Sequence, residues 1–304
     1  MTVHFWSFFS KSGWDCYGID PSAGKFSENY DLKGLQLQVG FFPEEMPALW
    51  SGVEFDLVSA IAMFYDLPDP IRFLESIKNI LAPDGKIVID VGFVPTMISN
   101  YALDSICHEH LSYYSTAQLL LAFNEAGLRI ADSWLSDMNG GTVSVVLEKR
   151  KDSEPHNLSK NLLSLTSRYE KECRAEWLSC IEYMKRKAKE TKSLLDSLAQ
   201  SGKRIAALGA STKGNTMLQM FDFGQEHFVA IGEVNPEKFG KVTPGTAIPI
   251  VSESQLLQEG VEVFLVLPWH FRDFFQAASH LDDRILIFML PELFVRWPVA
   301  KESN

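Results

Sequence analysis

Two imidazoles, one carboxylate and two phenols lie within a short run of this chain, at positions 106–114, where the sequence is ICHEHLSYY. Histidine is the side chain whose unperturbed pKa lies nearest neutrality, and a neighbouring carboxylate can fix its tautomer and tune its basicity. His108, Glu109 and His110 are therefore candidates for acid–base catalysis.

Zinc binding and a purely structural cluster are the alternatives for these residues. A His-x-His pair alternates along a strand instead of sharing one helix face, and the sequence contains no Cys-x-x-Cys pair to complete a zinc site. We therefore expect no metal. The residues alone leave catalysis and a structural cluster open.

Composition limits the class of protein. A chain of 304 residues with 46% hydrophobic composition can bury a sizeable core, and its length suggests two domains. The 39 acidic residues against 28 basic ones give a net charge of -11, which argues against nucleic acid as a partner and for a small molecule. No apolar stretch is long enough to span a bilayer, and the scattered cysteines suggest reduced thiols. We expect a cytoplasmic protein, monomeric and without a membrane partner.

The elements that must position these side chains follow an α/β pattern. Short apolar runs at 14–19, 35–41, 55–61, 86–91 and 142–147 predict strands, and residues 70–81 predict a crossover helix ended by Ala-Pro-Asp-Gly at 82–85. Runs at 130–134 and 142–147, joined by a turn-rich segment, predict a terminal antiparallel pair. The first half is expected to form a parallel α/β sheet.

A polar segment with Pro155 marks the domain boundary near residue 150. Apolar residues then recur every three or four positions through 157–200, which predicts an amphipathic helix that either bridges the domains or breaks once. We expect domains at residues 1–150 and 203–304, linked by a helical segment at 151–202.

A second alternating pattern begins at residue 204. A strand at 204–208 precedes the small-residue run GASTKGNT at 209–216 and a helix at 217–221, and further strands are predicted at 229–233, 261–267 and 285–288. Helix N-terminal amides and the Lys213 side chain can face a phosphate there, although the spacing fits neither a Walker A loop nor the dinucleotide fingerprint. Phosphate binding and ordinary tight packing both remain open.

Three motifs in the first half resemble class I S-adenosylmethionine methyltransferases: GIDP at 18–21, FDLVSA at 55–60 and LAPDGK at 81–86. The carboxylate of Asp20 ends a strand where nucleotide-binding folds of this type place the acceptor of the ribose hydroxyls. The resemblance implies S-adenosylmethionine as cofactor, with the binding residues Asp20, Pro21, Ala60 and Ile61.

Four further motifs in order resemble the sugar-nucleotide C-methyltransferases: CHEHLSYYS at 107–115, NGG at 139–141, GASTKGNT at 209–216 and NPEKFG at 235–240. These enzymes methylate a carbon beside the ketone of a 4-keto-deoxysugar. The resemblance covers the chain from about residue 14 onward. It implies a class I methyltransferase-like sheet followed by a second, smaller Rossmann-like α/β domain, and a role in deoxysugar biosynthesis with a nucleotide-linked sugar as substrate.

The resemblance also implies roles for individual residues. His110 matches the general base that removes the proton beside the ketone, after which the enolate attacks the methyl group of the cofactor. His108 and Tyr65 are candidate donors to the ketone oxygen, and Glu109 would orient an imidazole or contact the sugar. The residues expected to bind the substrate are Cys107, Asn139, Ser211, Lys213 and Asn215.

The chain departs from the family pattern in three places. The amino-terminal zinc-binding domain, the first strand and the glycine-rich cofactor loop have no counterpart, so the methyltransferase sheet is expected to be truncated. Tyr65 stands where the family has histidine, and Cys107 where it often has tyrosine. The alternative function is therefore a sugar-nucleotide-binding paralogue without methyl transfer. A nicotinamide oxidoreductase is disfavoured, because no dinucleotide loop precedes Asp20.

Two other sets of residues receive no firm role. Trp269, His270, Phe271 and Arg272 follow a predicted strand, where they line the same cleft or, as aromatics more often do, belong to the core. The remaining histidines, at positions 4, 156, 227 and 280, are interpreted as surface or packing residues.

Overall fold

A computed structural model of the chain describes residues 8–24, 34–136, 138–151, 154–169 and 173–298, apart from the side chain of Cys173. The chain forms two compact units that interleave along the sequence. The first comprises Met1–Val91, Tyr114–Leu135 and Val143–Leu163, and the second comprises Gly92–Tyr113, Ser136–Thr142 and Ser164–Asn304. None of the described helices is long and apolar enough to cross a membrane.

The first unit contains two sheets. Strands β1 (Cys16–Ile19) and β2 (Leu35–Gln38) form a parallel pair. The second sheet has the order β3-β4-β6-β5, and its strands are β3 (Phe55–Ile61), β4 (Leu81–Gly92), β5 (Leu128–Ser136) and β6 (Thr142–Lys149). The parallel pairing of β3 with β4 and the adjacency of β5 and β6 agree with the sequence pattern.

Helix α1 (Pro70–Ile80) crosses from β3 to β4. Its first turn is capped by the Asp69 carboxylate, which accepts the Arg72 backbone N–H at 3.0 Å, and proline at the first helical position removes a donor that would lack a partner. The prediction placed a turn at residues 82–85. In the structure β4 already begins at Leu81, and its pairing with β3 jumps from Leu81 to Lys86, so these residues bulge out of the strand.

The first unit also contains α3 (Thr116–Glu125), whose cap is a reciprocal pair of bonds between Ser115 and Gln118. The predicted helix at 157–200 is described as two helices, α4 (Lys160–Tyr169) and α5 (Cys173–Gln200). Residues 170–172 lie outside the described part of the chain. Along α5 the buried side chains recur at helical spacing and pack in the core of the second unit: Cys180, Met184, Ala188 and Leu195.

The second unit is a six-stranded sheet of order β12-β11-β10-β7-β8-β9. Its strands are β7 (Ile205–Leu208), β8 (Ile231–Glu233), β9 (Ile250–Ser252), β10 (Val263–Val266), β11 (Ile285–Phe288) and β12 (Phe294–Arg296). All neighbours pair in parallel except the last, β12, which is antiparallel to β11. This is the doubly wound order 3-2-1-4-5-6, in which the chain reverses direction across the sheet between β7 and β10.

Apolar side chains cover both faces of this sheet. In β7, Ile205 and Ala207 belong to one core cluster while Ala206 and Leu208 belong to the other. The same alternation continues in β10 and β11. Because both faces are buried, each strand is a continuous hydrophobic run, and this explains why the sequence predicted strands here without polar alternation.

The units do not follow the division at residues 150 and 202 that the sequence suggested. Residues 92–113 follow β4 directly, but α2 (Val94–Ser99) and the turn after it place four apolar side chains in the core of the second unit: Val94, Ile98, Ala102 and Leu103. The run 107–110 therefore belongs to the second unit, although its sequence position suggested the first.

A tight turn at residues 138–141 also belongs to the second unit. Asn139, Gly140 and Gly141 have φ values of 52°, 93° and 122°, a region that favours glycine. Thr96 Oγ1 donates to the Gly141 carbonyl at 2.9 Å, and Asn100 Nδ2 donates to the Gly140 carbonyl at 3.0 Å. The turn is thus fastened to α2 and the residue that follows it.

We predict that Gly141→Ala destabilises the protein by about 2–4 kcal/mol, because the positive φ costs about 1–2 kcal/mol and steric overlap adds to it. A Cβ atom at Gly141 would lie 2.7 Å from Asn100 Nδ2 and 2.8 Å from Thr96 Cβ. Urea unfolding of the full chain measures the loss.

Gly260→Ala is the matched control, because Gly260 has a φ of +75° and a Cβ atom there would meet nothing within 4 Å. It should lose only about 1–2 kcal/mol from backbone strain. Equal losses for the two variants would show that the contacts with Thr96 and Asn100 do not constrain the turn.

Candidate active site

The carboxyl ends of β7 and β10 form the crevice where doubly wound sheets bind their ligands, because the connections leave this point in opposite directions. Residues 209–213 follow β7 and residues 267–270 follow β10. Two other segments of the same unit pack here. Residues 103–105 contact the helix after β7, and residues 138–140 contact residues 269–271.

Glycines set the path of the chain after β7. Gly209 has a φ of +87°, and a Cβ there would lie 2.7 Å from Pro268 Cδ. A Cβ on Gly214 would lie 2.8 Å from the Gly209 carbonyl oxygen. Glycine is required at both positions, since any larger residue would push the turn away from its neighbours.

Helix α6 (Thr212–Met220) begins at Thr212, five residues before the predicted start at 217. The Ser211 hydroxyl caps it by accepting the Gly214 backbone N–H at 3.0 Å. The small and polar side chains of residues 209–216 predict a loop. Because Ser211 caps the helix, these residues are helical from Thr212, and Lys213 and Asn215 lie in the first turn.

Lys213 lies at the centre of the candidate site. Its Nζ donates to the Asn139 carbonyl at 2.6 Å. Burial lowers the pKa of the Lys213 ammonium below its ordinary value, and the nearby Asp104 and Cys107 act in the opposite direction. A mostly buried ammonium thus joins α6 to the turn at 138–141.

Asp104 is a buried acid that the sequence analysis missed. It is only 1% exposed, and its Oδ2 accepts the indole N–H of Trp269 at 3.2 Å. Burial raises the pKa of Asp104 to about 6, while Lys213 and the bond from Trp269 limit the rise. Among the described residues its Oδ1 has no hydrogen-bond partner. The only sequence signal was an acid within an otherwise apolar run at 102–106.

His110 is half-buried, and its backbone N–H donates to the Cys107 carbonyl at 3.3 Å. Burial lowers the pKa of the His110 imidazole and Lys213 lowers it further, whereas a hydrogen bond with the Ser105 backbone and the charge of Glu109 act in the opposite direction. The net effect favours the neutral imidazole at neutral pH, which is the form that accepts a proton.

The rest of the motif surrounds His110. Glu109 is exposed, and its Oε1 accepts the Thr212 hydroxyl at 3.0 Å. His108 is exposed and Cys107 is half-buried. The Tyr113 hydroxyl donates to the Cys107 carbonyl at 3.5 Å. Glu109 therefore ties the motif to α6.

His270 follows β10 in the same crevice. Burial, and secondarily Lys213, lower the pKa of His270 to about 4, and its Nδ1 has no partner among the described residues. Trp269 is buried in the core, as expected for these aromatics, whereas Phe271 is exposed.

Two predicted substrate residues make internal hydrogen bonds. The Ser211 hydroxyl serves as the cap of α6, and Asn215 Nδ2 donates to the Ser211 carbonyl at 3.0 Å. Asn215 Oδ1 is buried and has no partner among the described residues. Of the predicted substrate set, the structure brings together in one unit Cys107, Asn139, Ser211, Lys213 and Asn215.

The predicted cofactor residues and Tyr65 lie in the first unit. Asp20 directly follows β1, and its Oδ1 accepts the backbone N–H and the hydroxyl of Ser22, both at 2.6 Å. Ala60 is buried and Ile61 is half-buried at the carboxyl end of β3. Pro21 is exposed. Tyr65 is half-buried in the short helical turn Phe64–Asp66.

Glu233 ends β8, where a dinucleotide-binding sheet of this order holds the ribose with an acid. Its carboxylate accepts four donors from the chain itself at 2.8–3.2 Å: the backbone N–H groups of Ala210, Val234 and Asn235, and the ammonium of Lys238. The acid stabilises the loop after β7. Both of its carboxylate oxygens are already engaged by these donors.

The described residues also contain no group of three or more His, Cys, Asp or Glu side chains that could hold a metal ion.

Comparison with known proteins places the chain among methyltransferases. The chain is 27% identical over 268 residues to the C-methyltransferase NovU of Streptomyces niveus, a match that covers 86% of this chain and 63% of NovU. Among solved structures, a methyltransferase from Haloferax volcanii in complex with the activator Trm112 is 18% identical at a TM-score of 0.35, over 46% of this chain and 84% of that one. DhpI in complex with SAH is 15% identical at 0.35, over 49% and 72%.

Two family descriptions match the chain. The one for a methyltransferase domain matches residues 3–133, and the one for the C-methyltransferase C-terminal domain matches residues 137–291, about half of the chain. They confirm the expected class I methyltransferase-like α/β fold, and S-adenosylmethionine is the cofactor of that class. The chain belongs to the C-methyltransferase family.

Proposed function

We propose that the protein transfers a methyl group from S-adenosylmethionine to a carbon atom beside the ketone of a nucleotide-linked 4-keto-deoxysugar. The observation that carries the proposal is the half-buried His110, whose motif is bonded to the start of α6 and whose pKa is lowered by burial and by Lys213. The family assignment supports the reaction class. The chain spans 63% of the length of NovU. The activity of the whole enzyme is therefore a proposal for this chain.

His110 is the proposed general base. A base that takes a proton from carbon must be neutral at the working pH and close to the substrate. Burial and the Lys213 charge both favour the neutral imidazole. The backbone bond from His110 to Cys107 and the bond from Thr212 to Glu109 fix the motif at His110 and at the residue before it. The base removes the proton beside the ketone and leaves an enolate.

The enolate must be stabilised, because imidazole is a weak base for a carbon acid. Donors near the ketone oxygen lower the cost of the developing charge. The proposed donors are His108, which is exposed on the same motif, and the phenol of Tyr65. Tyr65 replaces the histidine of the family pattern, and a phenol donates a hydrogen bond as an imidazole does.

S-adenosylmethionine, when bound, supplies an electrophilic methyl group to the enolate carbon. The first unit fits this cofactor: a carboxylate follows β1, and only one of the two Asp20 oxygens is used by the Ser22 turn. The second oxygen is proposed to accept the ribose hydroxyls, with Pro21, Ala60 and Ile61 beside the nucleoside. The role of the protein in methyl transfer is alignment of the donor with the enolate carbon.

The second unit is proposed to hold the rest of the substrate. The first turn of α6 presents backbone N–H groups to the pyrophosphate, and a helix N-terminus favours an anion. Cys107, Asn139 and Asn215 are proposed to contact the sugar or the nucleotide. Asn215 Oδ1, which lacks a partner among the described residues, is suited to accept a hydrogen bond from the ligand.

A nicotinamide oxidoreductase stays disfavoured for a structural reason. Glu233 stands at the position that would bind the ribose in the second sheet, and donors from the chain itself occupy its carboxylate. The sheet order alone therefore does not indicate a dinucleotide site.

We expect His110→Ala to lower kcat for methyl transfer by about 10²–10⁴-fold, the usual contribution of a general base. Exchange of the acidic sugar proton with deuterated solvent, followed by NMR, should fall by a similar factor. Loss of both activities places His110 at the proton-transfer step.

His280→Ala serves as the control, because His280 lies far along the chain and pairs with Glu253 at 2.6 Å. It should leave both rates unchanged. Proton exchange that continues at the normal rate in His110→Ala would assign the base to another residue.

For the cofactor, we expect Asp20→Asn to weaken S-adenosylmethionine binding about tenfold, because a hydrogen bond between a charged carboxylate and the ribose contributes about 1.5 kcal/mol. Calorimetric titration of the chain measures the affinity. Ser22→Ala is the matched control: it removes one bond of the Asp20 turn and leaves the carboxylate in place.

Equal weakening by both variants would show that Asp20 acts only by shaping the turn. If the wild-type chain binds no S-adenosylmethionine but binds a nucleotide-linked sugar, the binding paralogue without methyl transfer replaces the proposed function.

A further inference from the structure

Lys213 is tied to the backbone of the protein itself. The Ser211 cap fixes it in the first turn of α6, and its Nζ donates to the Asn139 carbonyl at 2.6 Å. That carbonyl belongs to the turn whose next two carbonyls are held by Asn100 and Thr96. Lys213 thus completes a set of three side-chain donors, one for each successive carbonyl of residues 139–141.

The Thr212 hydroxyl, next to Lys213 in the chain, donates to Glu109 Oε1 at 3.0 Å, so the start of α6 contacts the motif at the residue before His110. Four titratable side chains interact electrostatically with the Lys213 ammonium. Three come from the segment before and within the motif, namely Asp104, Cys107 and His110, and the fourth is His270 after β10. Asp104 stabilises the positive charge from inside the core. The two imidazoles carry no charge that opposes it, since burial and the ammonium itself hold both pKa values below the ordinary value.

Around His110, two charges act in opposite directions. The Lys213 ammonium lowers the pKa of the imidazole, and the Glu109 carboxylate raises it by a smaller amount. Glu109 is exposed, so water and salt screen its charge more than that of the mostly buried ammonium. Tyr113, with its ring centre 6.5 Å from that of His110, is the aromatic neighbour.

We propose that Lys213 is a positioning residue for His110 and not a ligand of the substrate phosphates. Its ammonium group holds the 139–141 turn against α6 and supplies a partly buried positive charge beside the motif that contains His110. Lys213 acts on the reaction only through His110. The inference rests on the proposed function for the identity of the base, and on the contacts above for the rest.

The test is an NMR titration of the His110 ring in the full chain, without cofactor or substrate. The His110→Gln spectrum identifies the His110 signal among those of the seven histidines. Removal of a nearby positive charge raises the pKa of an imidazole, so Lys213→Met should raise that of His110 by roughly half a unit to one unit. Lys213→Arg restores the charge and should return it to the wild-type value.

Two further variants keep the result interpretable. Lys213→Gln keeps a donor for the Asn139 carbonyl without the charge, and it replaces Lys213→Met if that variant fails to fold. It should raise the His110 pKa to the same extent. Lys241→Met removes an exposed lysine of the same unit and should leave the titration unchanged.

The same pKa shift of His110 should appear in the pH dependence of methyl transfer. The acidic limb of kcat/KM reports the base of the free enzyme, so it should move to higher pH in Lys213→Met and return in Lys213→Arg. The NMR titration needs no activity. A shift by NMR without methyl transfer in the wild type would overturn the proposed function and keep the electrostatic role of Lys213.

Two results would overturn the inference. One is an unchanged His110 titration in folded Lys213→Met and Lys213→Gln. The other is a tenfold or larger loss of affinity for inorganic pyrophosphate in both variants, without any change in the His110 titration, since that pattern identifies Lys213 as a phosphate ligand.

Discussion

The partly buried ammonium of Lys213 has to be compensated inside the protein, and the candidate site depends on how this is done. A charge removed from water is costly unless opposite charges and hydrogen-bond acceptors surround it. The Asn139 carbonyl accepts a hydrogen bond from the Lys213 ammonium at 2.6 Å, and the carboxylate of Asp104 stabilises the positive charge. These partners come from segments far apart in sequence. Their convergence on one side chain fixes the 139–141 turn and the residues before His110 relative to α6.

That convergence explains why the compact units interleave. Residues 92–113 and 136–142 are neighbours of the first sheet along the chain, yet they belong to the second unit, and the apolar side chains of α2 and the turn after it lie in its core. Two hydrogen bonds continue the same connection at the polar edge: Thr212 to Glu109 at 3.0 Å and Trp269 to Asp104 at 3.2 Å. The proposed base is therefore positioned by the second sheet.

Sequence patterns predicted the strands well and the site only in part. Continuous apolar runs identified β7, β10 and β11 because both faces of the second sheet are buried. The start of α6 was wrong by five residues, since small residues at 209–216 resemble a loop until the Ser211 cap is seen. The role of Asp104 and the internal bonds of Lys213 could not be predicted from the sequence, because they depend on contacts between residues more than 70 positions apart. Motif resemblance named His110, but not the charge beside it.

The strand order of the second sheet does not by itself identify the ligand of that sheet. The second sheet has the strand order of dinucleotide-binding proteins, and an acid ends its second strand as it does there. In this chain that acid, Glu233, accepts three backbone N–H groups and the Lys238 ammonium, so the carboxylate stabilises the loop itself. A ribose hydroxyl would have to displace one of these donors. Strand order locates the crevice, and the hydrogen bonds that its side chains already make decide which ligand can enter it.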